Sequence, residues 1–293
     1  ESGEIVAYCG NSDMSFEREG KWVDIARANR SSGSILKPLL YTVALQEGII
    51  LPETLLPDVP TDFRGFTPQN FDGTYAGAIA ADEALALSLN IPNVHLLKAY
   101  GVARFAEILQ RAGFVSLNRS TDKYGLSLVL GGAEVCLCDV VACYARMAAC
   151  YIDTTAYAEF PLRDRVALYH TFNAMREVNR PDQMDWRRAT SVQNVAWKTG
   201  TSYGSRDAWA IGVTPQYVIG VWVGNADGSG VAELTGARIA GPILFDMLNL
   251  LSYSEWFAEP CSTDGVTLKV CVHSGHLVGR YCTDTKEVLL PRN

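Results

Sequence analysis

Apolar residues recur at helical spacing, with few breakers, over residues 36–46, 79–90, 93–112, 135–150, 162–177 and 239–251. Other stretches are β-rich and short: 193–199, 207–213 and 216–224, carrying VAWKT, AWAIGVT and YVIGVWVG, are separated by turn residues as successive antiparallel strands would be. Residues 4–9 (EIVAYC) read as a further strand, and residues 10–33 as a polar, Gly/Ser-rich loop ending in RSSGS. Between 52 and 75 lie Pro52, Pro57, Pro60, Pro68, Gly65 and Gly73, which spell an extended loop of the kind that borders a site. The order strand, helices, hairpin strands, helix predicts an α+β domain in which a helical cluster packs on an antiparallel sheet. Beyond Glu259 the composition shifts to Cys, Thr, Val and Gly, so a domain over 1–258 and a Cys-containing tail over 259–293, the start of a truncated β module, are expected.

With 293 residues, 48% hydrophobic and 19% charged, the chain has enough apolar surface for a large core. A net charge of −7 and the lack of any Lys/Arg cluster argue against nucleic acid as a partner. No apolar run approaches the roughly 18–20 residues that span a bilayer. The sequence begins at Glu1 without a charged-then-apolar leader and so reads as a mature or excised segment. Of the eight cysteines, Cys136, Cys138, Cys143 and Cys150 sit in an Ala-rich helical run, where Cys behaves as a small buried hydrophobe. Cys261, Cys271 and Cys282, with His273 and His276 among them, permit one disulfide and a spare thiol, the favoured reading, or a Cys/His metal site, whose spacing matches no standard zinc pattern.

Three short motifs stand in order: Ser34-Ile35-Leu36-Lys37, Ser88-Leu89-Asn90 and Lys198-Thr199-Gly200. Ser-x-x-Lys alone arises roughly once by chance in a chain this long, and Lys-Thr-Gly in fewer than about one chain in ten. Their context carries more weight. Ser34 opens a helix and Lys37 lies three residues on, on the same face, so hydroxyl and amine can meet. A serine hydroxyl needs a neighbour to accept its proton, and a desolvated lysine beside other cations loses pKa enough to serve. A helix start also favours a developing oxyanion. The bland alternative is a Ser cap with a solvent-facing Lys. Ser88 and Asn90 close a helical run before Pro92, where side chains can turn into a cleft, or simply form a polar helix end. Lys198 lies on a strand with Thr199, Gly200 and Thr201; a mid-strand Gly suits close approach of a peptide, and the hydroxyls and ammonium suit a carboxylate.

This triple set is the signature of penicillin-binding proteins and serine β-lactamases. GSILKPLLY, PQNFDGTYAGAIAADEALALSLNIPNVHLL, YGLSLVLGGAEV, WKTGTSYGSRDAWAIGVTPQYVIGVWVGN and AGPILFDML together resemble the transpeptidase domain of class A penicillin-binding proteins over about residues 1–258, and KTGTSYGSRDAWAIG with the Cys-containing tail is most similar to the 1C subgroup. The resemblance implies the penicillin-binding protein/serine β-lactamase-like fold and D,D-transpeptidation of peptidoglycan stem peptides, blocked by covalent β-lactams. Ser34 would be the nucleophile and Lys37 the acylation base. Ser88 would relay the proton to the leaving amine, Asn90 would hold the substrate amide, and Lys198 would support Ser88. Thr199 and Thr201 would grip the terminal carboxylate beside Gly200, and the N–H groups of Ser34 and Thr201 would form an oxyanion hole.

The resemblance further implies no metal or organic cofactor, a periplasmic setting with the full-length protein anchored in the inner membrane, and cell-wall assembly proteins as further partners. Set against the resemblance, the given sequence is expected to lack the upstream glycosyltransferase domain, and to lack or hold only part of the extra C-terminal β domain of the 1C subgroup, so glycan polymerisation is not expected of it. The alternatives are a serine β-lactamase, for which no Glu in the helical middle stands out as a water-activating base, a carboxypeptidase differing only in acceptor, and a non-catalytic sensor or scaffold, against which the intact motifs weigh. A Ser-His-Asp hydrolase is disfavoured, because His95 and His170 lie in helix-like runs and His273 and His276 in the tail.

Overall fold

In the computed structural model, which describes residues 3–12, 20–120, 123–180 and 193–292, the chain runs β1 (Arg30–Ser31), α1 (Lys37–Gln46), β2 (Leu55–Asp58), β3 (Gly77–Ala80), α2 (Ala81–Ala86), α3 (Asn90–Tyr100), α4 (Val102–Arg111), β4 (Glu134–Val135), α5 (Leu137–Ile152), α6 (Arg165–Arg176), β5 (Ala196–Thr201), β6 (Asp207–Val213), β7 (Val218–Gly224), α7 (Gly241–Asn249), β8 (Val266–Cys271) and β9 (Thr285–Leu290). The expected α+β architecture is present. Helix α1 is apolar all round and buried from Lys37 to Leu45, which places it at the centre of the helical cluster. Thr42 and Thr171 share a hydrogen bond of 2.9 Å that ties α1 to α6. Helix α6 is started by Asp164, whose carboxylate accepts from Ala167 N–H at 2.8 Å.

The principal sheet has the antiparallel order β5-β6-β7. Every residue of β6 is buried, because helices cover both faces. Trp209 and Ile211 face the helical cluster, while Trp197, Ala208 and Ala210 pack with Leu244 and Leu248 of α7 on the other side. That double burial explains why AWAIGV reads as a continuous apolar run instead of alternating. Among the described residues strand β5 pairs only with β6, so its outer edge is left to the functional site.

Some expected elements take other forms. Residues 4–9 form no strand, and of the expected 10–33 loop residues 13–19 lie outside the described residues. The Pro-rich 52–75 segment contains β2, which pairs with β3 from Leu55↔Ala80 to Asp58↔Gly77. The helix expected over 79–90 is β3, α2 and a break at Ser88, and the one expected over 93–112 divides at Gly101, whose φ of +101° ends α3. Pro92 sits in the first turn of α3, where its missing N–H is not needed, rather than after a helix end.

The tail folds as the β8–β9 hairpin and docks on the helical body. Leu55 N–H donates to Ser274 O at 3.1 Å, His170 Nε2 meets Leu289 O at 2.8 Å, and Lys286 pairs with Glu53. The disulfide expected there is absent. All eight cysteines are free; Cys261 precedes β8 and Cys271 ends it, a full strand apart, whereas the Cys271 thiol meets the side chain of Cys282. Among the described residues no group of three or more His, Cys, Asp or Glu is arranged to hold a metal, and no helix is long and apolar enough to cross a membrane.

Candidate active site

Ser34 occupies the turn that leads into α1, with Ile35 N–H donating to Ser32 O and Lys37 N–H to Ser34 O, each at 3.3 Å. The turn is anchored from three sides. Tyr144 of α5 donates to Ile35 O at 2.7 Å, Trp209 Nε1 to Ser31 O at 2.8 Å, and Ser32 N–H to Ala133 O at 2.9 Å. Gly33 has φ +50°, and a Cβ there would lie 2.7 Å from Thr201 N and 2.8 Å from Thr201 O, so only glycine lets this turn lie flush on β5. Gly200 makes the reciprocal approach: a Cβ would meet Ile35 Cγ2 at 2.8 Å and Ser32 O at 2.9 Å.

Lys37 is buried and its Nζ reaches the α2–α3 break, donating to Ser88 O at 2.7 Å, Leu89 O at 3.1 Å and Asn90 Oδ1 at 2.7 Å. These carbonyls point inward because Ser88 is held at φ +57°, a left-handed conformation that non-glycine residues rarely adopt. The Ser88 hydroxyl faces the other lysine: Lys198 Nζ donates to Ser88 Oγ at 2.7 Å and to Thr199 O at 2.9 Å. Ser88 therefore stands between two amines, its carbonyl on one and its hydroxyl on the other.

On β5, Ser202 N–H donates to Asp207 O at 3.0 Å. Antiparallel alternation then turns the backbone groups of Gly200 and Lys198 toward β6 and those of Thr199 and Thr201 toward the open edge. Thr201 Oγ1 accepts from Gly236 N–H at 3.0 Å, which leaves its proton available to a ligand oxygen. Of the eight residues expected from the motifs, Lys37, Ser88, Asn90, Lys198 and Thr199 are joined by hydrogen bonds, and Ser34, Gly200 and Thr201 are brought beside them by the close packing of the Ser34 turn on β5.

Both lysines are fully buried, and their acceptors are carbonyl, amide and hydroxyl oxygens with no carboxylate. Burial holds Lys37 well below the ordinary lysine range, and the nearby charge of Lys198 lowers it further. Burial brings Lys198 down to about 7. Three acceptors around Lys37 favour its ammonium, but desolvation without a counter-charge outweighs them. In its neutral form Lys37 would donate to two of these three acceptors and keep a lone pair for a third proton.

The sequence matches the model of the penicillin-binding protein transpeptidase domain over residues 1–248. The chain belongs to this family. It is 39% identical over 279 residues to penicillin-binding protein 1C of Escherichia coli K12, covering 92% of this chain and 36% of that protein. To penicillin-binding protein 1A of Neisseria cinerea it is 28% identical over 278 residues, covering 84% of this chain and 34% of that protein. The chain thus spans about a third of the length of these relatives. Among solved structures, penicillin-binding protein 1A of Haemophilus influenzae superposes with a TM-score of 0.71 at 19% identity, covering 92% of this chain and 50% of that one. PonA1 of Mycobacterium tuberculosis in complex with penicillin V superposes with a TM-score of 0.69 at 22% identity, covering 81% and 74%.

The cluster also rests on residues that the motifs did not single out. Tyr144 and Trp209 anchor the Ser34 turn through side-chain hydrogen bonds to backbone carbonyls. Asp58 and Asn70 lie under the Ser88–Asn90 break, Asn70 Nδ2 donating to Asp58 Oδ1 at 2.7 Å. No motif marks Tyr144 or Trp209, and Asp58 and Asn70 fall in the loop expected to border a site, without a spacing that marks either.

Proposed function

We propose that this domain is a serine D,D-transpeptidase that cleaves a D-alanyl-D-alanine stem peptide and joins the acyl group to the amine of a second stem peptide. The observation that carries the reading is the placement of a buried Lys37, its pKa held below the ordinary lysine range, between the Ser34 turn and the Ser88–Asn90 break, with Lys198 on the Ser88 hydroxyl. Ser34 Oγ attacks the carbonyl carbon of the penultimate D-alanine while its proton passes to Lys37 Nζ. The oxyanion lies between the N–H groups of Ser34 and Thr201. Collapse of the tetrahedral intermediate breaks the peptide bond, and Ser88 supplies the proton that the departing D-alanine amine requires, itself resupplied from the lysines. Asn90 orients the substrate amide, and Thr199, Thr201 and Lys198 take the terminal carboxylate along the open β5 edge beside Gly200. The acceptor amine then reverses the sequence and frees Ser34. A β-lactam enters by the same attack and stays as the acyl-enzyme.

The catalytic unit is assigned to residues 1–258, with 259–293 as an appended module. Stem peptides outside the cytoplasmic membrane are the substrate, which places the protein in the periplasm, held to the inner membrane in its full length and working with cell-wall assembly proteins. The test supplies a D-alanyl-D-alanine stem peptide with an acceptor stem peptide to the parent and to Ser34→Ala. Release of D-alanine with a cross-linked product from the parent alone supports the reading; release with hydrolysed donor only makes the domain a carboxypeptidase, and rapid turnover of penicillin makes it a β-lactamase.

A further inference from the structure

Helix α3 begins with a defect that its own sequence does not repair. Leu89 occupies the N-cap position and offers no side-chain acceptor to the first free N–H groups. The acceptor comes from the loop that crosses beneath. Asn70 Oδ1 accepts from Asn90 N–H at 2.9 Å and from Ile91 N–H at 3.3 Å, and Gln69 O accepts from Asn90 Nδ2 at 2.7 Å. The bond to Gln69 O fixes which way the Asn90 amide faces, so its Oδ1 turns to Lys37 Nζ at 2.7 Å.

Asn70 is itself oriented. It is 3% exposed, and its Nδ2 donates to Asp58 Oδ1 at 2.7 Å and Thr74 O at 2.9 Å, while Asp58 Oδ2 accepts from Ala76 N–H at 2.8 Å. A carboxylate only accepts, so Asp58 compels the Asn70 amide nitrogen toward itself and the oxygen toward α3. Asp58 is 1% exposed and is carried by β2, whose pairing with β3 holds it in register with Gly77. The result is a continuous buried path from a strand, through two side chains, to the backbone that aims Ser88 and Asn90.

We propose that Asn70, oriented by Asp58, is a positioning residue for acylation: it holds the left-handed Ser88–Asn90 turn so that the Ser88 and Leu89 carbonyls and the Asn90 amide stay directed at Lys37. The inference rests on the proposed role of Lys37 as proton acceptor for Ser34. Ser88 at φ +57° is a strained conformation that persists only where its surroundings impose it, and the doubly capped start of α3 is what imposes it here. Release of the cap lets the turn relax and shifts the groups around Lys37, and a displacement on the order of 1 Å from a residue outside the chemistry is enough to cost about 10²-fold in rate.

The test measures the second-order rate of penicillin acylation of Ser34 across pH, the labelled fraction at completion, and the thermal midpoint. Four proteins are compared: parent, Asn70→Ala, Asn70→Asp and the exchanged pair Asp58→Asn/Asn70→Asp. Asn70→Ala is expected to acylate about 10–100-fold more slowly while still labelling to completion, which separates slow chemistry from loss of folded protein. Asn70→Asp sets two carboxylates against each other and is expected to be at least as slow. The exchanged pair restores one donor and one carboxylate, with Asn at 58 donating to Asp at 70, and is expected to recover most of the rate. Should Asn70→Ala fold poorly, the comparison of Asn70→Asp with the exchanged pair decides. Parental rates in the single variants, or an exchanged pair as slow as Asn70→Asp, overturn the proposal. A lowered midpoint with an unchanged rate overturns it equally, since Asn70 is then structural only. If the parent itself is not labelled at Ser34, the functional reading has failed, and that outcome is distinct from the others.

Discussion

A lysine buried without a carboxylate partner destabilises the fold it serves, and this site holds two of them, Lys37 and Lys198. The folded-state pKa of each lies below the unfolded value, so between the two values the unfolded chain binds more protons and stability rises with pH. For Lys198 that window runs from about 7 up to the ordinary 10.5, and the penalty is complete below it. Replacing Lys198 by Met is therefore expected to raise stability on the order of 1–4 kcal/mol near neutral pH, with the gain shrinking toward pH ~10. Denaturant titrations of both proteins at several pH values check this; a Met variant less stable than the parent at neutral pH contradicts it. Activity should move the opposite way. Lys37→Ala is expected to lose about 10²–10⁴ in acylation rate, because the nucleophile loses its proton acceptor. Lys198→Ala should be slowed less, and its acid limb should shift to higher pH, since the charge that helps to hold Lys37 down has gone. An acid limb that stays in place, or near-parental acylation by Lys37→Ala, would reverse the assigned roles.

At the scale of elements, the site is a junction of α1, the α2–α3 break and the β5 edge, and the junction is close because glycine lies in it. Gly33→Ala places a methyl 2.7 Å from Thr201 N at a φ of +50°, so the Ser34 turn must lift from β5. A loss of roughly 1–3 kcal/mol is expected, together with a drop in acylation of at least about tenfold. Gly125→Ala is the control, since φ there is −104° and nothing lies within 4 Å of the added methyl; its stability and rate should stay near parental. Equal effects of the two changes would remove the argument. The elements that were legible in the sequence are those whose burial is one-sided or uniform. Helix α1, α5, α6 and the strands β5 to β7 announce themselves by period or by β-branched and aromatic runs, and Ser34 and Lys37 fall where a helix start demands them. A break at Ser88–Asn90 before Pro92 was legible, but its left-handed geometry was not, because ADEALALSLN is helical in propensity and the tertiary cap from Asn70 and the donation of Lys37 to three carbonyl oxygens leave no mark in the sequence. The lost strand at 4–9 has the converse cause: its apolar Ile5 and Val6 are 71% and 75% exposed and find no pairing partner among the described residues.

Across the whole molecule, helices cover both faces of a three-stranded sheet, and the edge strand is thereby left open beside the nucleophile. The motifs are spread from Ser34 to Thr201, and they meet because α1 runs buried through the helical cluster and β5 lies flush against its start. In the tail, whose cysteines suggested a stapled module, the hairpin is held by backbone pairing, by the contact of Leu55 with Ser274 and by the Lys286–Glu53 pair, with Cys271 and Cys282 in contact but unbonded. The central claim is that this arrangement makes Ser34 the nucleophile of a long-lived acyl-enzyme. Intact-mass and peptide mass spectrometry after incubation with penicillin test it most directly. One adduct per chain, on the peptide containing Ser34 and stable for minutes or longer, is the predicted result; an adduct on any other residue, or its disappearance within seconds, would contradict the account.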